Sequence, residues 1–495
     1  MVAINGLIQL LSQQERAAFI QHLKKRNKRN DTKNIQLFKA FVKGDTTQIK
    51  EELGGNAYNV LKKRLSDRLI DFIASNTLSN ELSTEAKIIQ TLLVARKLFN
   101  HQVYDVGFKL LLKAERKAKE IMHYSLLNEL YTSMIEYSHF FTSLDQEELF
   151  AKLEGNNADF MTQQRLNLLY TSMKKQFKNP HSIKDNSFEE IYNTSRKKFG
   201  VSDGLVYNFQ SLAQLCAIAD LYCAQSHNYQ LVDLFFEDKI SQLTGSEADN
   251  EKMLPYHIEV LYNMANIYFR KKDFAKSMCY LRKMDTQLAR SNKKYEKQWM
   301  GRQAVLKALN LNFTKDSDKA SDLLEKVIAE EGLEEKERVL VDLTLCLVYF
   351  QHNKIDDVKR IMTGFDRSDT WYLKNIGSEW LFNQKAMEIL LHFDLGNDLL
   401  VESKLLSFQR KYADYFKSNQ ESPIWPFLGL IKQLLQDPSL VHTEGFVKKV
   451  ERVIPWKEKH QEDLFFICYY AWLKAKMNRS NLYITTMEII EGSLE

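Results

Sequence analysis

Imidazole and thiolate side chains serve as metal ligands, bases and nucleophiles, so the histidines and cysteines are the first residues to test for chemistry. The eleven histidines are dispersed, and no two stand at HxxxH or HxH spacing. The five cysteines (Cys216, Cys223, Cys279, Cys346 and Cys468) form no CxxC. They sit in helical patterns beside apolar neighbours, and Cys216 and Cys223, seven apart, share a helix face. That placement predicts buried free thiols rather than a metal or redox pair. No phosphate loop or dinucleotide fingerprint follows a strand, and no GxSxG occurs. Asp316 and Asp318 flank Ser317 in KDSDKA, a turn and helix start in which aspartate serves as a cap. The expectation is a non-enzymatic protein with no catalytic residue, no metal and no cofactor.

Positive charge is the second source of chemistry. Net charge is +5. Residues 1–75 carry 14 Lys and Arg against 7 Asp and Glu, a balance of +7, so the remaining 420 residues balance to −2. Two clusters account for the excess. Lys24, Lys25, Arg26, Lys28 and Arg29 fall in HLKKRNKRNDTK, and Lys62, Lys63, Arg64 and Arg68 fall in YNVLKKRLSDRLIDFI. Both are candidate phosphate contacts that would release counterions from a nucleic acid. Their plainer reading is a solvated helix end, where cations complement the dipole, and Asp67 and Asp71 dilute the second cluster.

The elements that must position these residues are helices. Glycine (17) and proline (6) are scarce, and the apolar fraction of 44% supports a continuous core. Nearly every segment carries a 3.6-residue apolar period, with no alternating strand flanked by hairpin chemistry. Polar breaks fall at Ser75–Thr84, Lys178–Ser187, Thr244–Glu251 and Lys417–Pro423. Ser143 with Gln146, and Ser187 with Glu190, fit capping boxes, and Gly54-Gly55 reads as a turn between two helices. No apolar run reaches the ~18–20 residues that span a bilayer, and the start lacks a basic leader with a small-residue cleavage site. A soluble, cytoplasmic chain is expected.

One spacing recurs. In VLYNMANIYFRKKDFAKSMCYLRKM, Ala265 and Ser277 stand twelve apart across a break at Lys271–Asp273. Small side chains there let two helix axes approach to ~8–10 Å, with Met264, Tyr268, Phe274, Leu281 and Met284 around the crossing. Ala95 and Gly107, Ala308 and Ala320, and Cys346 and Val358 repeat the interval. Ala219 and Tyr222 mark a version with one extra turn residue, and Phe393 and Leu399 a weaker one. This spacing resembles the tetratricopeptide pattern over roughly residues 85–415, with Ser277 and Met284 as departures where that pattern has small residues. The intervals from Ala265 to Ala308 and from Ala308 to Cys346, 43 and 38 residues, exceed the ~34 of that repeat. The whole chain also resembles helical-repeat proteins of similar length from Bacteroidota-type bacteria, which share an LSxxE start (Leu11 to Glu15 here) and a short helical module before irregular repeats. That likeness implies a bacterial cytosolic protein.

The resemblance implies an all-α, right-handed superhelical solenoid of antiparallel helix pairs. Its segments would be a basic N-terminal helical module (1–75), first repeat-like hairpins (76–185), a main array (186–416) and C-terminal capping helices (417–495). It further implies a concave face of first-helix residues that binds a protein partner: Tyr262, Asn266, Phe269 and Arg270; Arg96, Phe99 and Asn100; Phe350 and Gln351. The expected role is a protein–protein interaction scaffold. The alternative is a nucleic-acid- or ribosome-associated factor docked through the basic N-terminus. Neither a membrane nor a small-molecule substrate is expected.

Overall fold

The computed structural model describes residues 4–9, 11, 13–26, 32–43, 45–80, 84–141, 145–177, 187–201, 209–226, 232–241, 243, 253–291, 294–330, 332–418, 424–454 and 464–492. Every regular element among them is helical. The breaks at Lys178–Ser187, Thr244–Glu251 and Lys417–Pro423, and the pair Ser143-Leu144, lie wholly or largely outside the described residues. The chain divides into two compact units, Met1–Gln163 and Gln164–Glu495.

The first unit begins with α1 (Ile4–Gln9), α2 (Gln13–Arg26), α3 (Lys33–Lys43), α4 (Thr47–Leu53) and α5 (Gly55–Asn80). Their apolar faces meet around Phe19, Leu37, Phe38, Leu65, Leu69 and Phe72, a core drawn wholly from residues 4–73. Gly54 adopts φ +71° between α4 and α5, a left-handed conformation glycine reaches without strain. The stretch Ser75–Thr84, read as a break, is mostly helix, since α5 continues to Asn80 and α6 (Thr84–Asn100) begins at Thr84. That stretch holds no glycine or proline to stop a helix. Helices α6, α7 (Tyr104–Glu120) and α8 (Tyr124–Glu136) share a second core around Ala95, Phe99, Leu111, Ala114, Leu130 and Met134. A 3-10 turn (Ser138–Phe140) leads toward α9 (Gln146–Phe177), within which the division of the chain falls.

The second unit continues with α10 (Phe188–Lys198), α11 (Phe209–Ser226), α12 (Val232–Ser241), α13 (Leu254–Arg270), α14 (Phe274–Arg290), α15 (Glu296–Asn312), α16 (Ser317–Ala329), α17 (Glu335–Gln351) and α18 (Ile355–Met362). It ends with α19 (Asp369–Asn375), α20 (Ser378–Asp394), α21 (Asp398–Ser418), α22 (Ile424–Gln436), α23 (Glu444–Val453), α24 (Leu464–Asn478) and α25 (Leu482–Glu491). Consecutive helices pair (α13 with α14, α15 with α16, α17 with α18, α20 with α21). The first helix of one pair also packs on the first helix of the next, α11 on α13 on α15 on α17. The Ser187 cap is present in full, its hydroxyl accepting from Glu190 N–H while Glu190 accepts from Ser187 N–H.

The twelve-residue interval marks the crossings as expected. Ala95, Ala265, Ser277, Ala308, Ala320, Cys346 and Val358 are fully buried, and Gly107 is buried. A Cβ on Gly107 would fall 2.5 Å from Phe99 Cε1, so the glycine makes room for an aromatic ring against the helix backbone. Ser277 does more than replace an alanine. Its hydroxyl donates to Ala265 O at 2.8 Å and accepts from Asn310 Nδ2 at 3.0 Å, tying α13, α14 and α15 together. Leu399 departs from the expectation, being 85% exposed. The buried partners there are Ile389 and Val401, again twelve apart, because α21 starts at Asp398 and turns Leu399 outward in its first turn.

The turns close through the main chain. At Gln102, Lys272, Lys315 and Asn353 φ is +62°, +62°, +69° and +57°. In each case the next N–H bonds back five residues: Val103 to Leu98 O, Asp273 to Tyr268 O, Asp316 to Leu311 O and Lys354 to Tyr349 O, at 2.9–3.0 Å. This is the Schellman closure, which satisfies carbonyls left open at a helix end. It recurs at Met122, Gly200, Gly396 and Arg479. Asp316 occupies the cap position but makes no side-chain capping bond; its carboxylate accepts from Lys319 Nζ instead.

Candidate functional site: a polar strip on the first helices

On one strip two carboxylates, an amide and a phenol stand without a hydrogen-bond or ion-pair partner among the described residues. Along α13, Glu259, Tyr262, Asn266 and Arg270 follow one another at three- and four-residue steps, which places them on one helix face. Asp220 contributes from α11, and Trp299 and Arg302 from α15. Tyr262 packs on Trp299 with ring centroids 5.1 Å apart. Arg302 Nε donates to Glu337 Oε1 at 2.8 Å, joining α15 to α17. Glu337 is buried and also accepts from Arg302 N–H at 2.7 Å. The approach is open because residue 301 is glycine, where a Cβ would lie 2.5 Å from Glu337 Oε2.

The electrostatics of the strip are set by loss of solvation. Asp220 is exposed; loss of solvation raises its carboxyl pKa, with the Arg270 charge opposing. Glu259, half-buried, is raised by the same loss of solvation, with Arg302 opposing. Burial pushes the Tyr262 hydroxyl up to about 12. Among the described residues, Asp220, Glu259 and Asn266 have no hydrogen-bond or ion-pair partner. Glu259 and Asn266 are half-buried and Asp220 is exposed, so this strip holds hydrogen-bonding capacity that the described residues do not use. It offers carboxylates for a cation, an amide for a peptide group and an aromatic wall. No hydrogen-bonded nucleophile–base pair is present in it.

Of the nine residues expected on a partner-binding face, Tyr262, Asn266 and Arg270 lie together on this strip, each half-buried. Phe269 does not; it is 3% exposed and packs against Phe274 and Phe313. Phe350 and Gln351 are likewise buried. Gln351 Oε1 accepts from Asn312 Nδ2, and Gln351 Nε2 donates to Cys468 Sγ, both within the core. These three are corrected from surface to core: the helix pairs are wrapped by neighbours on both sides, so the residue beside the inner stripe turns into the next pair. In the first unit Phe99 is buried and stacked on Tyr137 at 4.2 Å, and so is corrected in the same way. There Arg96 pairs with Glu129 at 2.6 Å and Asn100 is exposed. Asp220, Glu259 and Arg302 were missed by sequence reasoning. Stepping back three residues from Tyr262 would have found Glu259.

Lys24 and Lys25 are exposed near the end of α2, and Lys63 and Arg64 are exposed on α5, with Lys62 and Arg68 half-buried. Arg26 closes α2; Lys28 and Arg29 lie outside the described residues. All five cysteines are free, four buried and Cys279 half-buried. No group of three or more metal-ligating side chains occurs among the described residues. None of their helices is long and apolar enough to cross a membrane. Among the described residues the chain is all-helical, with consecutive helices packed as pairs. No protein-family model matches it, and a search of curated proteins finds no match.

Proposed function

We propose that this chain is a non-enzymatic scaffold of a bacterial cytoplasm. In this reading its tetratricopeptide-like helix pairs wind into a right-handed solenoid and hold a segment of a partner protein against their first-helix face. The observation that carries it is the strip on α11, α13 and α15, where exposed Asp220 and half-buried Glu259 and Asn266 have no hydrogen-bond or ion-pair partner among the described residues. An extended or helical segment would satisfy them, with its side chains against Tyr262 and Trp299. Affinity capture from the native cell with wild-type chain, followed by mass spectrometry, should recover a partner that Glu259→Gln combined with Asn266→Ala fails to retain. Arg270→Ala should weaken the same partner. Recovery of an identical set by all forms would remove the strip from the function.

A second reading is docking to nucleic acid or the ribosome through the first unit. It is favoured by exposed Lys24, Lys25, Lys63 and Arg64, none of which is ion-paired among the described residues. Each lost phosphate contact lowers the salt dependence of binding. Retention on an anionic resin should then fall on Lys63→Glu with Arg64→Glu; unchanged retention removes this reading.

A further inference from the structure

The first unit holds a groove of ≈ 650 Å³ that the strip described above does not include. One wall is the end of α8 and the 3-10 turn after it, with Ile135, Ser138 and His139; the other is the start of α9. The wall on α9 is a single helical stripe: Glu147, Phe150, Ala151, Glu154, at steps of three, one and three. Phe150 sits at its centre and is 55% exposed, a large apolar face turned to solvent. Glu147 and Glu154 flank it about 10 Å apart along the axis. The groove is built in place. Gln146 Nε2 donates to Ser138 Oγ at 3.0 Å across it, and Asp145 Oδ1 accepts from Glu147 N–H and Glu148 N–H, fixing the start of α9.

The charges select the occupant. On the adjacent face of α9, Glu148 is neutralised by Lys152. Within the groove, Glu147 and Glu154 have no ion-pair partner among the described residues, and none of the described lining residues is Lys or Arg. An apolar centre between two unpaired carboxylates one heptad apart fits a helix of the opposite pattern.

We propose that this groove docks a basic amphipathic helix of a partner protein, with two adjacent apolar residues seated on Phe150 and Ala151. A Lys or Arg three residues before that pair and another three residues after it would reach Glu147 and Glu154. The apolar contact supplies the affinity and the two charge pairs fix register and direction.

The test uses the full chain and a fluorescently labelled 16-residue helical peptide carrying Lys-x-x-Leu-Leu-x-x-Lys, read by anisotropy. Saturable binding is expected. Phe150→Ala should weaken it about tenfold. Glu147→Gln with Glu154→Gln should weaken it several-fold and flatten its dependence on salt. A matched peptide with both Lys replaced by Glu should not bind. All three side chains are exposed, so unchanged circular dichroism should accompany each variant. Absence of saturable binding, equal binding of the acidic peptide, or full binding by Phe150→Ala would overturn the proposal. Concentration-dependent self-association in sedimentation, abolished by Phe150→Ala, would overturn it in favour of a second copy as the occupant.

Discussion

The hairpin α6–α7 of the first unit and the hairpin α13–α14 of the second use the same twelve-residue interval and close with the same turn, yet fill their crossings differently. In the first, Gly107 removes a side chain so that Phe99 can lie against the helix, stacked in turn on Tyr137. In the second, Ser277 occupies the crossing and spends its hydroxyl on Ala265 O and on Asn310 of the next pair. One crossing is apolar and depends on space. The other is polar and depends on a hydrogen bond that also reaches its neighbour. Equal spacing in sequence therefore specifies where two helices touch, while the residue type decides whether that contact is confined to the hairpin or continues along the stack.

The comparison is best broken by volume. Ala265→Leu should overpack the crossing of α13 and α14 and destabilise by about 3 kcal/mol. Amide hydrogen exchange would report it locally, since two units need not unfold together; native protection throughout α13 and α14 would overturn the assigned register. Next in size, Ser277→Ala should cost about 1–2 kcal/mol by removing a buried bond and leaving Asn310 poorer by one partner. Loss of protection should extend into α15, which a purely local contact would not produce. Gly107→Ala sets the helix preference for alanine against the clash with Phe99. The clash should win by about 1 kcal/mol, with effects confined to α6–α8. Gln102→Gly should act in the opposite direction, stabilising the first hairpin by about 0.5–1 kcal/mol, because a non-glycine residue at φ +62° is strained.

A further effect is expected with pH. Burial, with the Arg290 charge, lowers the pKa of His257 near the start of α13 from 6.5 to about 4. The unfolded chain then takes up a proton between about pH 6.5 and 4 that the folded chain does not. Stability of the second hairpin should fall across that window, level off below it, and become less acid-sensitive in His257→Gln. An undiminished acid response in that variant would assign it to another group.

The hairpins were legible because a close crossing demands a small residue at a fixed distance from the turn, a steric requirement that survives in sequence. The turns were located but not their form. Left-handed backbone is ordinarily signalled by glycine, and here Gln102, Lys272, Lys315 and Asn353 adopt it, held by a main-chain bond that no side chain announces. Part of the polar strip was legible. Tyr262, Asn266 and Arg270 follow from helical register, whereas Asp220, Arg302 and the buried Glu337 join them through packing between α11, α13, α15 and α17, which one helix pattern does not encode. Phe269 and Phe350 were placed outward because an aromatic beside the inner stripe looks the same in sequence whether it meets a ligand or the next pair. The groove at Phe150 left no sequence signal beyond an exposed stripe, which resembles any solvated helix face.

A turn held by its own backbone makes few demands on the letters written at it. Glutamine, methionine, lysine, asparagine, arginine and glycine all occupy the left-handed position in this one chain. Mutation can therefore rewrite those corners many times over while the hairpins keep their shape, so kinship among such chains should be sought in the rhythm of their small residues rather than in the spelling of their bends.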